Sequence, residues 1–289
     1  MSQESHTLSP SQRPGLAMIT GLPTLSIIVP AYNSLSALYT CLGMLVQTVD
    51  LSRTEILVQD DASPEYNLIQ LPLMPGVKPQ RNAVNLGFAG NINTAAQRAK
   101  GDYILMLNQD TRSLTLPDDA PVVKELLHPG WADAMLRVFI ERDNVGIVGP
   151  RLVFPNGAVQ SVGGLYDAGK GPFHKYLGWS NPLDRRISVT EKVSWITGAA
   201  IMIKREDFFA VGGLRGDLYP GGYFEDVDLC QTVKRQLGKD VWYCADATLV
   251  HTVASTGGNP KHFMRNSVEF HKRWNDTISA DTNIVYVSY

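Results

Sequence analysis

The chain has 289 residues, 44% of them apolar and 19% charged, and its 26 Lys and Arg against 28 Asp and Glu leave a formal net charge of -2. This composition excludes a disordered or fibrous chain, and the interspersed charges leave no broad basic face, so no nucleic-acid partner is expected. Three cysteines, Cys41, Cys230 and Cys244, are too few for a disulfide framework or a structural zinc site and read as small buried apolar residues.

Residues 1–23 are rich in Ser, Pro, Gln and Thr and lack the apolar core of a signal peptide, so they read as a flexible leader ahead of a domain over 24–260. Leu25-Ser26-Ile27-Ile28-Val29-Pro30 is a short β-branched run, the pattern of a strand buried on both faces. Asn33 or Ser34 can then cap a helix that places Leu35, Leu38, Leu42 and Leu45 on one side. A second strand over Glu55–Val58 runs into Gln59-Asp60-Asp61-Ala62-Ser63-Pro64, which is turn chemistry. A helix is predicted from about Ile92 to Lys100, ended by a left-handed Gly101, and a strand over Tyr103–Leu107 follows. Alternating short apolar strands and helices argue for a doubly wound, mostly parallel α/β sheet with helices on both faces. Ligands bind such sheets at the carboxyl ends of the strands.

The second half predicts a strand over Val145–Val148, a turn at Pro155-Asn156-Gly157, and a mobile Gly-rich stretch from Gly163 to Gly178. Order is expected again over Val193–Ile203, in a short helix ended by Gly212-Gly213, and in a helix over Val227–Leu237 closed by Gly238. Val241–Cys244 and Thr248–Val250 are the last strand candidates, and 261–289 reads as a helix to Trp274 and a tail.

Three polar clusters follow strands. Asp60 could accept a hydrogen bond from a nucleobase N–H while Tyr32 lies along the base, although Asp60-Asp61 also suits a plain polar turn. Asn108-Gln109-Asp110 ends a strand of five apolar residues, and Mg²⁺ or Mn²⁺ favours one or two carboxylates beside phosphate oxygens. Asp110 can supply one, and His251, after a later strand, is an acceptable ligand for Mn²⁺. Taken alone, each has a blander reading, as a helix-capping Asp or a structural His. Glu225-Asp226 sits where a Gly-rich loop enters a helix, and the helix dipole is expected to lower the Asp226 pKa and keep it ionised, as a general base must be. Asn85 to Asn91 is a Gly-containing helix entry whose N–H groups could approach phosphate.

In this order and spacing, the segments from Leu25 to about Trp274 resemble the inverting family 2 glycosyltransferases, particularly their rhamnosyltransferase-like bacterial branch. Pro30-Ala31-Tyr32-Asn33 looks like that family's first nucleotide-contacting loop, and Asp60 matches its uracil- or thymine-reading aspartate. Asn85-Leu86-Gly87-Phe88-Ala89-Gly90-Asn91 is similar to a segment lining the donor pocket. Asn108-Gln109-Asp110 stands in the place of an Asp-x-Asp metal motif, with Asn replacing the first Asp, so metal binding carries over to Asp110. Trp195-Ile196-Thr197-Gly198-Ala199 resembles the acceptor-side loop, Glu225-Asp226 the catalytic-base motif, and His251 a metal-binding histidine. The resemblance implies a GT-A type fold and a divalent cofactor, Mn²⁺ or Mg²⁺. It also implies transfer from a nucleotide-diphospho-sugar, deoxythymidine-diphospho-rhamnose or a uridine-diphospho-sugar, to a polysaccharide or glycolipid hydroxyl. Asp226 would serve as base in one inverting displacement.

The first strand is followed by neither the loop of a nucleotidylyltransferase nor the Gly-x-Gly-x-x-Gly of a nicotinamide enzyme. A non-catalytic nucleotide-sugar binding protein of the same fold is the rival that Asn108 favours. No apolar run reaches the roughly 20 residues that span a bilayer. The expected location is cytoplasmic, where the helix containing Phe263, Val268, Phe270 and Trp274 could rest on an anionic inner membrane face or, equally, pack on the domain.

Overall fold

The computed structural model describes residues 24–64, 71–167, 171–252, 260–278 and 281; the leader over 1–23 lies outside the described residues. The first half runs β1 (Leu25–Ala31), α1 (Leu35–Thr48), β2 (Thr54–Asp60), β3 (Val77–Arg81), α2 (Gly87–Ala96), β4 (Tyr103–Leu107) and the two-residue β5 (Thr111–Arg112). Then come α3 (Pro121–Leu126), α4 (Trp131–Glu141), β6 (Val145–Val153), β7 (Val159–Ser161), β8 (Gly164–Asp167), β9 (Gly171–His174) and β10 (Glu191–Lys192). The chain continues with β11 (Ala200–Lys204), α5 (Arg205–Ala210), α6 (Glu225–Leu237), β12 (Asp240–His251) and α7 (Pro260–Trp274).

The main sheet has the order β10-β12-β6-β11-β4-β1-β2-β3, with β5 on β12 and β7 on β6. Strands β4, β1, β2 and β3 are parallel, while β11 runs antiparallel to both β4 and β6. All seven residues of β1 are buried because both faces are covered. Ile28 packs with Ile104 and Met106 in the core beneath α2, α5, α6 and α7. Its neighbours Ile27 and Val29 pack with Leu105 in the core beneath α1 and α4. Pro30 is tolerated in this central strand because the pairing of β1 with β4 has ended at Ile28, where a missing N–H costs no ladder bond on that side.

The sequence-based expectations hold for Tyr103–Leu107, for the glycines after α5 and for Gly238, which closes α6 at φ 64°. They fail where long-range contacts decide. Asn33 and Ser34 are both left-handed, and the Ser34 side chain caps nothing, because a capping residue needs extended backbone. Helix α2 starts at Gly87 and ends at Ala96, and Gly101 has no positive φ. Instead Gly101 lies against β1, where a Cβ would stand 2.5 Å from the Ser26 nitrogen. The polar edge strand β3 carries no apolar alternation that would mark it in the sequence. The stretch from Gly163 contains the β8–β9 hairpin. The two last strand candidates are one strand, β12, interrupted by an irregularity between Cys244 and Thr248.

The three cysteines are free and buried. Phe270 and Trp274 are buried in the core rather than presented to a membrane, and no described helix is long and apolar enough to cross one.

Candidate active site

The pairing of β5 with β12 places Thr111 opposite His251 and so carries Asp110 to the end of β12. Thr252 completes the junction, donating its N–H and its hydroxyl to the Asp110 carbonyl at 3.1 and 2.8 Å. The Asp110 Oδ1 and His251 Nε2 atoms then lie 3.1 Å apart, both largely shielded from solvent. On the far side of the ring, Nδ1 lies 2.6 Å from Gln160 Oε1, and Gln160 Nε2 donates to the His251 carbonyl at 3.1 Å. Gln160, on β7, carried no signal in the sequence.

His174 on β9, likewise without a signal in the sequence, packs against Trp195 with ring centres 4.7 Å apart and planes tilted by 57°, and lies 3.3 Å from the Ser161 hydroxyl. Burial, and then the neighbouring His251, push the His174 pKa down to about 4. Trp195 is a buried wall beneath the hairpin: its indole N–H donates to the Leu165 carbonyl and its ring abuts Gly164.

The two metal candidates fit a divalent cation. Adjacent ligands of an octahedral ion at about 2.1 Å each are roughly 3 Å apart, which is the spacing of Asp110 Oδ1 and His251 Nε2. The buried Asn108 Oδ1 has no hydrogen-bond partner, as befits a further oxygen donor or a ligand contact. Among the described residues no set of three His, Cys, Asp or Glu gathers as a metal site.

Asp226 lies in the first turn of α6. Its Oδ2 accepts the Gly198 N–H at 2.7 Å and its Oδ1 the Val227 N–H at 2.8 Å. The next residue, Ala199, accepts the Asn108 N–H at 3.0 Å, so one short loop ties Asp226 to the Asn108–Asp110 segment. Phe88 closes the same corner, with its ring edge 3.6 Å from where a Gly198 Cβ would stand.

The expected dipole effect on Asp226 is outweighed. Burial raises its pKa, and the N–H groups of Gly198 and Val227 and the Thr197 side chain offset this only in part. Glu225, buried with an unpartnered Oε2, is pushed up to about 8, by burial first and then by the Asp226 charge.

The approach to α6 is strained, because Tyr223 and Phe224 both have φ near +70° after two left-handed glycines. The buried Asn266 of α7 steadies it, donating to the carbonyls of Gly222 at 2.6 Å and Pro220 at 3.2 Å.

At the parallel end of the sheet, Gln109 clamps the first loop, accepting the Tyr32 N–H at 3.2 Å and donating to the Tyr32 and Asn33 carbonyls. Tyr32 stays partly exposed above the buried Pro30 and Ala31, and the buried Asn33 Oδ1 is unpartnered. The Asp60 carboxylate is fully enclosed: Oδ1 accepts from Ser63, and Oδ2 pairs with Arg81 at 2.5 Å. Its neighbour Asp61 accepts the Leu86 N–H at 2.8 Å and the Asn82 amide at 2.9 Å. Asn82 in turn donates to Asn91, and Asn85 Oδ1 accepts the Gly87 N–H, so the entry to α2 is tied to the end of β2.

Residues 26–206, well over half of the chain, match the family described as glycosyl transferase family 2. The O-antigen biosynthesis protein RfbC of Myxococcus xanthus is 28% identical over 243 residues, 81% of this chain and 18% of that protein. The N-acetylglucosaminyl-diphospho-decaprenol L-rhamnosyltransferase of Mycobacterium tuberculosis is 27% identical over 212 residues, 64% of this chain and 62% of that protein. The chain thus spans less than two thirds of the length of either relative. The crystal structure of GalNAc-T7 with UDP, GalNAc and Mn²⁺ superposes with a TM-score of 0.68 at 18% identity, covering 88% of this chain and 48% of that one. The mostly parallel half-sheet, the helices on both of its faces and the family match lead to one conclusion: this chain belongs to glycosyl transferase family 2 and has the GT-A fold.

Proposed function

We propose that the protein transfers a sugar from a nucleotide-diphospho-sugar, deoxythymidine-diphospho-rhamnose or a uridine-diphospho-sugar, to a hydroxyl of a polysaccharide or glycolipid acceptor, with inversion. The observation that carries this reading is the link from Asp226 through Gly198 and Ala199 to Asn108, which ties a candidate base to the strand end bearing Asp110.

In this reading Asp226 accepts the acceptor hydroxyl proton as the oxygen attacks the anomeric carbon and the bond to the diphosphate breaks. A raised pKa suits a base that works near neutral pH. Tyr32, Asn33, Asp60, Asn85, Gly87, Phe88, Asn91 and Gln109 line or support the donor pocket, and Trp195, Thr197, Gly198 and Glu225 the acceptor side. Asp110 and His251 would hold Mn²⁺ or Mg²⁺, which when bound supplies positive charge beside the leaving diphosphate. Any membrane contact would fall to the exposed Met264, Arg265, Val268 and Lys272 of α7.

Thermal-shift titration with uridine, thymidine and guanosine diphosphates, each with and without Mn²⁺, tests the donor site. Manganese-dependent stabilisation by a pyrimidine diphosphate, lost in Asp110→Ala, is the expected result. Stabilisation by none of the three would overturn the reading and favour a non-catalytic protein.

A further inference from the structure

Gln160 can meet His251 in only one orientation. The His251 carbonyl accepts and cannot donate, so the Gln160 NH₂ must face it, as the 3.1 Å contact has it. That turns the Gln160 carbonyl oxygen toward the ring, 2.6 Å from Nδ1, and an oxygen without a hydrogen requires Nδ1 to carry the proton. A neutral His251 then has its lone pair on Nε2, 3.1 Å from the Asp110 carboxylate oxygen. Two acceptors at that distance repel unless something positive stands between them. Gln160 is buried, and β7 fixes it by pairing with β6, which in turn pairs with β12, so the sheet itself sets its reach.

We propose that Gln160 is a positioning residue that holds His251 as the Nδ1–H tautomer and thereby presents Nε2, beside Asp110, as a ligand for a divalent cation. The inference rests on the metal reading of Asp110 and His251, and it assigns to the second layer of that site a residue that never touches the ion.

The test uses the full chain, labelled with ¹⁵N at histidine, at a pH well above the ordinary imidazole range and without metal. The His251 resonances, identified by their loss in His251→Asn, are expected to report a protonated Nδ1 and a bare Nε2. In Gln160→Leu that preference is expected to be lost. Mn²⁺ titrated with uridine or thymidine diphosphate present, with free ion read by electron paramagnetic resonance, is expected to bind about 10–100-fold more weakly to Gln160→Leu than to wild type. Gln160→Glu, which keeps an acceptor for Nδ1–H, is expected to bind within a few-fold of wild type.

A proton on Nε2 in the wild type, equal Mn²⁺ affinity in Gln160→Leu, or equal losses in the Leu and Glu variants would each overturn the proposal, the last by reducing Gln160 to a tie between β7 and β12. If the wild type bound no Mn²⁺ while the tautomer shifted as expected, the metal reading would fail and the tautomer assignment would stand. Should Gln160→Leu not fold, the wild-type spectrum and the Glu variant decide.

Discussion

Gly198 donates its backbone N–H to the Asp226 carboxylate at 2.7 Å, and the following carbonyl, of Ala199, receives the N–H of Asn108 at 3.0 Å. One dipeptide therefore joins the start of α6 to the end of β4, and a shift of either is felt by the other.

On the proposed mechanism, Asp226→Asn removes the proton acceptor but leaves an amide oxygen for the Gly198 N–H. Transfer is expected to fall by about 10²–10⁴-fold, the usual contribution of a general base, with nucleotide-induced thermal stabilisation retained. An undiminished initial rate would remove Asp226 from the mechanism.

Glu225 gives stability a sign in pH. Its pKa rises from 4.5 unfolded to about 8 folded, so between those values the folded chain holds more protons than the unfolded one. Stability is therefore full below about 4.5 and falls as pH rises through about 8, with the raised pKa of Asp226 acting in the same direction. Melting temperature across this range is expected to decline less steeply in Glu225→Gln, and an unchanged slope would count against a protonated Glu225.

Gly164 is glycine because the Trp195 indole occupies the space of a side chain, with a Cβ placed only 1.9 Å from the ring. Gly164→Ala is expected to destabilise by about 1–3 kcal/mol, since the hairpin must lift from the tryptophan. Denaturant titration checks this.

Helix α7 separates packing from surface. Phe270→Ala is expected to cost about 3–5 kcal/mol, because Phe270 is fully buried against Phe224 and Tyr166. Val268→Ser, at an exposed position, is expected to leave stability within about 0.5 kcal/mol. If the helix meets a membrane, Val268→Ser together with Met264→Ser should lower liposome co-sedimentation.

The strands β1 and β4, helix α6 and its glycine stop were legible in the sequence because apolar runs and terminators are local signals, and their order carried the family resemblance from Leu25 to about Trp274. Local signals also named Asp110, His251 and Asp226 as candidates. Only the tertiary structure decided what surrounds them. The two-residue β5 brings Asp110 to His251, and Gln160 reaches the ring from a strand 91 residues away in the chain. Asn266 steadies the strained loop before Glu225 from another helix. Desolvation reversed the pKa direction expected for Asp226, because burial depends on what packs around a carboxylate and not on its place at a helix start. Polar residues that act through long-range hydrogen bonds leave no periodicity, so the sequence determined which groups are candidates for the chemistry and the fold decided which of them meet.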